Sequence, residues 1–162
     1  MRVVEKDLEI RVKTASVRIG PIGFLEYAKE FYAAFSSFKP KNKTSPASYY
    51  LICRSLELSL KSYLLAKGVD IKKVKYSLGH DLHKILKKAK ELQIFSIVEI
   101  SDVEIEQIEK ANVWYTRKGF EYFELRNLRE STSTLPDLEI LTGLVENLLQ
   151  QLKQVCLDAS ND

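Results

Sequence analysis

Residues 48–67, SYYLICRSLELSLKSYLLAK, decide how this chain folds. Wound at 3.6 residues per turn, their leucines, Ile52 and tyrosines leave the helix apolar nearly all the way round. Such a helix needs partners on every side, so it is expected to stand at the centre of the fold. Ser45-Pro46 ahead of it offers a capping side chain and a proline at the first helical position, and Gly68 behind it suits a left-handed terminus.

Upstream, after Gly20-Pro21, the residues Phe24, Tyr27, Ala28, Phe31, Phe35 and Phe38 recur every three or four positions, which predicts an amphipathic helix ending by Pro40. Before it, Leu8, Ile10 and Val12 alternate with Glu9, Arg11 and Lys13, a period of two that suits a short extended arm. Downstream, a third helix follows His80-Asp81, with Leu82, Ile85, Leu86 and Ala89 on its inner face and Lys84, Lys87 and Lys88 on its outer one. Ser101 and Glu104 have the spacing of a capping box, and Ile105, Ile108 and Tyr115 carry a fourth helix toward Gly119. An irregular aromatic stretch follows. Thr134-Leu135-Pro136-Asp137 then opens a fifth helix whose Leu138, Leu141, Val145, Leu148, Leu152 and Val155 keep the same three-and-four spacing. The prediction is an all-α antiparallel bundle of four to five helices over residues 21–157, with an extended arm over 1–20 and a disordered tail over 158–162.

Composition narrows the classes of function. A chain of 162 residues, 45% hydrophobic and 29% charged, is long enough to bury a core without disulfides. Its longest apolar runs, such as Leu64-Leu65-Ala66, fall far short of the roughly 20 residues of a membrane span. Glu5, Asp7 and Glu9 near the start argue against a signal peptide. Cys53 and Cys156 make neither a disulfide framework nor a metal set, so a reducing cytoplasm is expected. The net charge of +3 is unevenly spread. Eight lysines lie between Lys67 and Lys90 against Asp70 and Asp81, and Glu99, Asp102, Glu104, Glu106 and Glu109 follow. These runs read either as solvated helix faces or as two oppositely charged binding surfaces. On the second reading Lys84, Lys87 and Lys88 are phosphate contacts for a polyanion, without sequence preference.

No Walker loop, GxGxxG or GxSxG occurs. The only histidines, His80 and His83, lack a Glu or Cys at the spacing of common zinc sites, so neither a metal nor a cofactor is expected. One constellation stands out. Tyr50, Arg54, Glu57 and Lys61 lie at intervals of four, three and four, on one face of an otherwise apolar helix. Burying an unpaired charge is costly, so these groups pair with one another, pair with other helices, or line a wet cleft. The plainest version is a surface Glu57–Lys61 pair worth about 0.2–0.5 kcal/mol. The more specific version has His80 turning inward from the turn Gly79-His80-Asp81-Leu82 to meet Glu57, with His80 or Asp81 capping the third helix.

Three blocks, taken in order, resemble the HEPN superfamily of helical domains. They are residues 55–68 (SLELSLKSYLLAKG), Gly79-His80-Asp81-Leu82, and the set Asn112, Tyr115, Arg117, Phe120 and Tyr122. The likeness is to a bacterial branch that pairs an ELxLKxxLLxxG helix with a GHDL turn, and it spans residues 45–157. It implies a bundle of four or five helices, frequently dimeric, used in RNA cleavage, nucleotide binding and toxin-antitoxin or defence modules. It further implies a partner protein encoded nearby. It adds Asn112, Tyr115, Arg117 and Tyr122 to Arg54, Glu57, Lys61, His80 and Asp81 as binding residues, with Arg117 and Tyr122 closing the same pocket. The ribonuclease members carry an arginine, a polar residue, and a histidine four to six positions after the arginine. Here Arg126-Asn127 begins that pattern, but Ser131 stands where the histidine would be, and serine does not titrate near neutral pH. The expectation is therefore a non-catalytic module binding a nucleotide, RNA or a protein. The alternative is an enzyme with a non-standard site built from Glu57, His80, Asp81 and Arg117.

Overall fold

A computed structural model describes residues 20–42, 44–122 and 134–161. Among them are five α-helices: α1 (Pro21–Ser37), α2 (Pro46–Ala66), α3 (Leu82–Glu91), α4 (Asp102–Thr116) and α5 (Leu138–Asn161). A π-helical turn (Lys73–Ser77) precedes α3 and a 3-10 turn (Ile94–Ser96) follows it. No strand occurs among the described residues, and the helices pack as an all-α bundle. None of these helices is long and apolar enough to cross a membrane. The proposed arm and the Arg126-Asn127…Ser131 segment lie outside the described residues.

As its sequence requires, α2 is the axis of the bundle, with α1, α3 and α5 packed round it. Every residue from Ser55 to Leu64 is buried. Three of them are serines, which let neighbouring helices come close while their hydroxyls find carbonyls. Ser55 donates to Ala28 O at 2.7 Å, Ser59 to Ser55 O at 2.8 Å and Ser62 to Ser59 O at 2.7 Å. Gly68 ends the helix in the left-handed region, at φ +79°. At the other end Ser45 is the N-cap residue, yet its side chain makes no capping bond; its backbone carbonyl accepts from Ser48 and Tyr49 instead.

The stripe read on α1 holds in part. Phe24, Leu25 and Ala28 enter the core, whereas Tyr27 is 58% and Phe38 39% exposed. Leu25, one position off the aromatic series, is buried where Tyr27 is not, beside Ala28, whose carbonyl accepts from Ser55 of α2, and Phe31 and Phe35 pack partly buried against the core. On α5 the stripe holds, with Leu141, Leu144, Val145, Leu148, Leu152 and Cys156 facing α2 and α1. Asp137 caps it by accepting from the amides of Glu139 and Ile140 at 2.9 and 3.2 Å. The helix then runs on to Asn161, past residue 157, so the tail assigned to 158–162 is helical through 161. Gln154 to Asp158 (2.6 Å) and Ser160 to Cys156 O (2.7 Å) tie these last turns together.

The capping box at Ser101 and Glu104 is present in both directions. α4 ends at Thr116, before Gly119, and Lys118 rather than the glycine adopts the left-handed conformation, at φ +60°. Gly119 is needed for closeness: a Cβ there would stand 3.1 Å from both the ring and the carbonyl of Trp114.

Candidate functional site

α2 presents Arg54, Glu57 and Lys61 on one face, as the four-three-four spacing requires. Glu57 is fully buried and Lys61 is 4% exposed, so the pair is no surface ion pair. Lys61 Nζ donates to Glu57 Oε1 at 2.6 Å, and Arg54 Nη1 lies 3.1 Å from each carboxylate oxygen. From α4, the Tyr115 hydroxyl donates to Oε2 at 2.6 Å. From the turn before α3, His80 Nδ1 stands 3.0 Å from Oε2 and 3.2 Å from Oε1. His80 therefore turns inward to Glu57 as the sequence suggested. Gly79 makes this possible: at φ +54° it directs its carbonyl to Lys61 Nζ, 2.5 Å away.

Arg54 Nη1 also approaches His80 Nδ1, at 3.3 Å. Both cannot donate to each other, and a carboxylate only accepts, so the Nδ1 hydrogen belongs on the ring, directed at Glu57. Nε2 is then the ring nitrogen left available, on a side chain 60% exposed. Burial pushes the Glu57 carboxyl up, but Lys61, Arg54 and the hydrogen bonds from Lys61 and Tyr115 outweigh it and hold the carboxyl below its usual value. Burial, with the adjacent Glu57 charge, pushes the Tyr115 phenol far up, so it remains a protonated donor. Burial lowers and Glu57 raises the Arg54 guanidinium, and Glu57 together with Tyr115 prevails.

One residue further on, Asp81 is the N-cap of α3, accepting from Lys84 N at 3.1 Å. Asn112 of α4 clamps the same turn: its Nδ2 donates to Asp81 Oδ1 at 3.1 Å and its Oδ1 accepts from Leu82 N at 2.8 Å. Burial raises the Asp81 carboxyl, yet its bonds from Lys84 and Asn112 leave it depressed. Asp81 and Asn112 thus fix where His80 stands without themselves lining the cleft.

That cleft, of about 290 Å³, opens beside the network. α2 lines it with Arg54, Glu57, Leu58 and Lys61, the turn before α3 with His80, and α1 with Phe24 and Tyr27; Lys75 joins from the π-helical turn, which Val74 anchors in the core. Phe24, Tyr27 and Lys75 were not singled out in the sequence. The first two fall in the three-and-four stripe of α1, and Lys75 is one of eight lysines with nothing in the chain order to distinguish it. Tyr50 sits half-buried with its ring tilted against Tyr115, centroids 6.3 Å apart.

Arg117 and Tyr122 do not line the cleft. Arg117 stacks on Trp114, its guanidinium carbon 4.6 Å from the ring centroid, and Tyr122 is 61% exposed under Lys118. The reason is angular. Tyr115 faces Glu57, so Arg117 lies about 200° further round the helix, and Lys118 then turns the chain away. On α3, Lys84 pairs with Asp81 at 3.4 Å and Lys88 with Glu91 at 2.7 Å. Lys87 borders a separate groove where His83 Nδ1 meets Glu109 at 2.6 Å. The cleft itself holds a single carboxylate, and no group of three or more His, Cys, Asp and Glu side chains assembles among the described residues. Comparison with protein-family models, with curated proteins and with solved structures yields no match.

Proposed function

We propose that this chain is a non-catalytic binding module whose cleft takes a phosphate-bearing ligand, a nucleotide or a segment of RNA. The observation that carries this is a surplus of donors around a saturated acceptor. Glu57 already receives Lys61, Tyr115, Arg54 and His80, which fills the roughly four lone-pair sites of a carboxylate. What remains unspent is all donor: the rest of the Arg54 guanidinium, the third hydrogen of Lys61, and Lys75, whose ammonium makes no ion pair among the described residues. Arg54 and Lys61, partly desolvated and held in place by a buried carboxylate, suit an oxyanion better than freely hydrated lysines do, and the exposed Lys75 adds charge at the rim. The HEPN resemblance supports the same chemistry, and on it the module would serve in a toxin-antitoxin or defence setting, as a homodimer with a protein partner encoded nearby.

The non-catalytic part of the reading rests on the neighbours of His80. Glu57 has no lone pair to spare and Tyr115 is held protonated, so His80 has no second acid or base beside it. A second reading, RNA cleavage at a non-standard site, draws on the carboxylate-oriented imidazole itself, with Nε2 as the working nitrogen.

Calorimetric titration at low salt with inorganic phosphate, a nucleoside monophosphate and short mixed RNA tests the proposal. Wild-type protein should bind each, more weakly as salt rises, and Lys75→Ala should weaken all three without altering the melting curve. No heat with any of them would reject the cleft as an anion site. New RNA fragments that disappear in His80→Ala would replace the non-catalytic reading with the enzymatic one.

A further inference from the structure

We infer that the cleft is built for a phosphate monoester carried on a flat, stackable ring, rather than for an internal phosphodiester. This deepens the phosphate-binding reading above and rests on it. Three cations, Arg54, Lys61 and Lys75, face the cleft against the one carboxylate of Glu57, an excess of two positive charges. A monoester at neutral pH carries about −1.5 to −2, whereas a diester carries one negative charge. The monoester matches the excess, and the diester leaves about one positive charge unmatched. Lys61 is already paired with Glu57, so the excess falls on the half-buried Arg54 and on Lys75, both facing the cleft.

The apolar part of the lining supplies the second half of the specificity. Phe24 and Leu58 are almost fully buried, but Tyr27 keeps 58% of its surface exposed while lining the cleft. A tyrosine on an amphipathic helix that faces neither the core nor open solvent alone offers a ring for stacking. At about 290 Å³ the cleft lies just below the lower end of ligand pockets, roughly 300–1,000 Å³. A space of that size fits one phosphate and part of one ring. The ligand is thus a free nucleoside monophosphate or the phosphorylated end of a strand, with its phosphate among Arg54, Lys61 and Lys75 and its base on Tyr27.

The experiment compares adenosine monophosphate, ribose 5-phosphate, inorganic phosphate and dimethyl phosphate by calorimetry, with an oligonucleotide bearing either a 5′-phosphate or a 5′-hydroxyl. Adenosine monophosphate should bind at least about fivefold tighter than ribose 5-phosphate, the lower end of what one stacked base contributes. Tyr27→Ala should remove that advantage, Tyr27→Phe should keep it, and inorganic phosphate should bind both variants as it binds wild type. The 5′-phosphorylated oligonucleotide should outbind its hydroxyl twin; if it also exceeds adenosine monophosphate, the source is a strand end, and otherwise a free nucleotide. Equal binding of dimethyl phosphate and inorganic phosphate, or no difference between adenosine monophosphate and ribose 5-phosphate, would overturn the inference and leave the anion site standing. Absence of binding by inorganic phosphate and every other probe would overturn both.

Discussion

Glu57→Gln is the substitution that separates a buried network from a surface ion pair most cleanly. In the folded chain the carboxylate is wholly buried and compensates Lys61, whose side chain is 6% exposed, and Arg54, whose side chain is 26% exposed. Glutamine fits the space but removes the charge. Its NH₂ must also stand where Lys61 or Tyr115 now donates, opposing a donor with a donor. Breaking a buried ion pair from one side costs about 3–5 kcal/mol. Arg54 and the largely exposed His80 can each turn to water, so the lower end, about 3 kcal/mol, applies here. For a chain of this length that is a fall in Tm of about 6–12 °C, measurable by circular dichroism and by urea unfolding. The pair Glu57→Leu with Lys61→Met should regain part of the loss, because it removes the stranded Lys61 charge while the Tyr115 hydroxyl still loses its acceptor. A cost below about 0.5 kcal/mol for Glu57→Gln would match an exposed i, i+4 pair and refute the network.

Other perturbations follow from the same contacts. Leu148 is fully buried in α5, so Leu148→Asp forces a carboxylate into the core at several kcal/mol against a total of about 5–15, and the far-ultraviolet spectrum should show an unfolded chain. Asp81→Ala loses the cap of α3 and a partner of Asn112, about 1–2 kcal/mol by urea unfolding, while Asp81→Asn should recover most of it because asparagine caps nearly as well. Glu57 and Asp81 are both held below their ordinary values of 4.5 and 3.8, so their stabilisation is complete above about pH 5 and is lost as pH falls through the folded values. The urea midpoint of wild type should therefore drop between about pH 5 and 3, and Glu57→Gln should show a shallower drop.

Periodicity made most of this fold readable. The all-round apolarity of residues 48–67 places α2 at the centre, and the three-and-four spacing of α5 marks its buried face. What periodicity does not fix is which members of a stripe are buried: Phe24 and Tyr27 share a nominal stripe, yet only Phe24 is core, and Leu25, off the stripe, is buried. Short elements were also invisible. The turn at Lys73–Ser77 rests on a single buried residue, Val74, which carries no period, and with it went the role of Lys75. Charge on the apolar helix made Arg54, Glu57 and Lys61 conspicuous, since each has to be compensated. Tyr115 and Asn112 were marked only by the family resemblance, because an aromatic and an amide on an amphipathic helix look like ordinary packing residues. The same resemblance named Arg117 and Tyr122, which the structure sets on the far side of α4 and beyond its end.

The location of the anion site is best measured by following backbone amide resonances of the full chain as inorganic phosphate is added. A cleft assembled by Glu57 predicts that the largest shifts fall on residues 54–61, on Gly79 and His80, and on Lys75, with Glu57→Gln abolishing them. Shifts confined to Lys84, Lys87 and Lys88, or none at all, would contradict it.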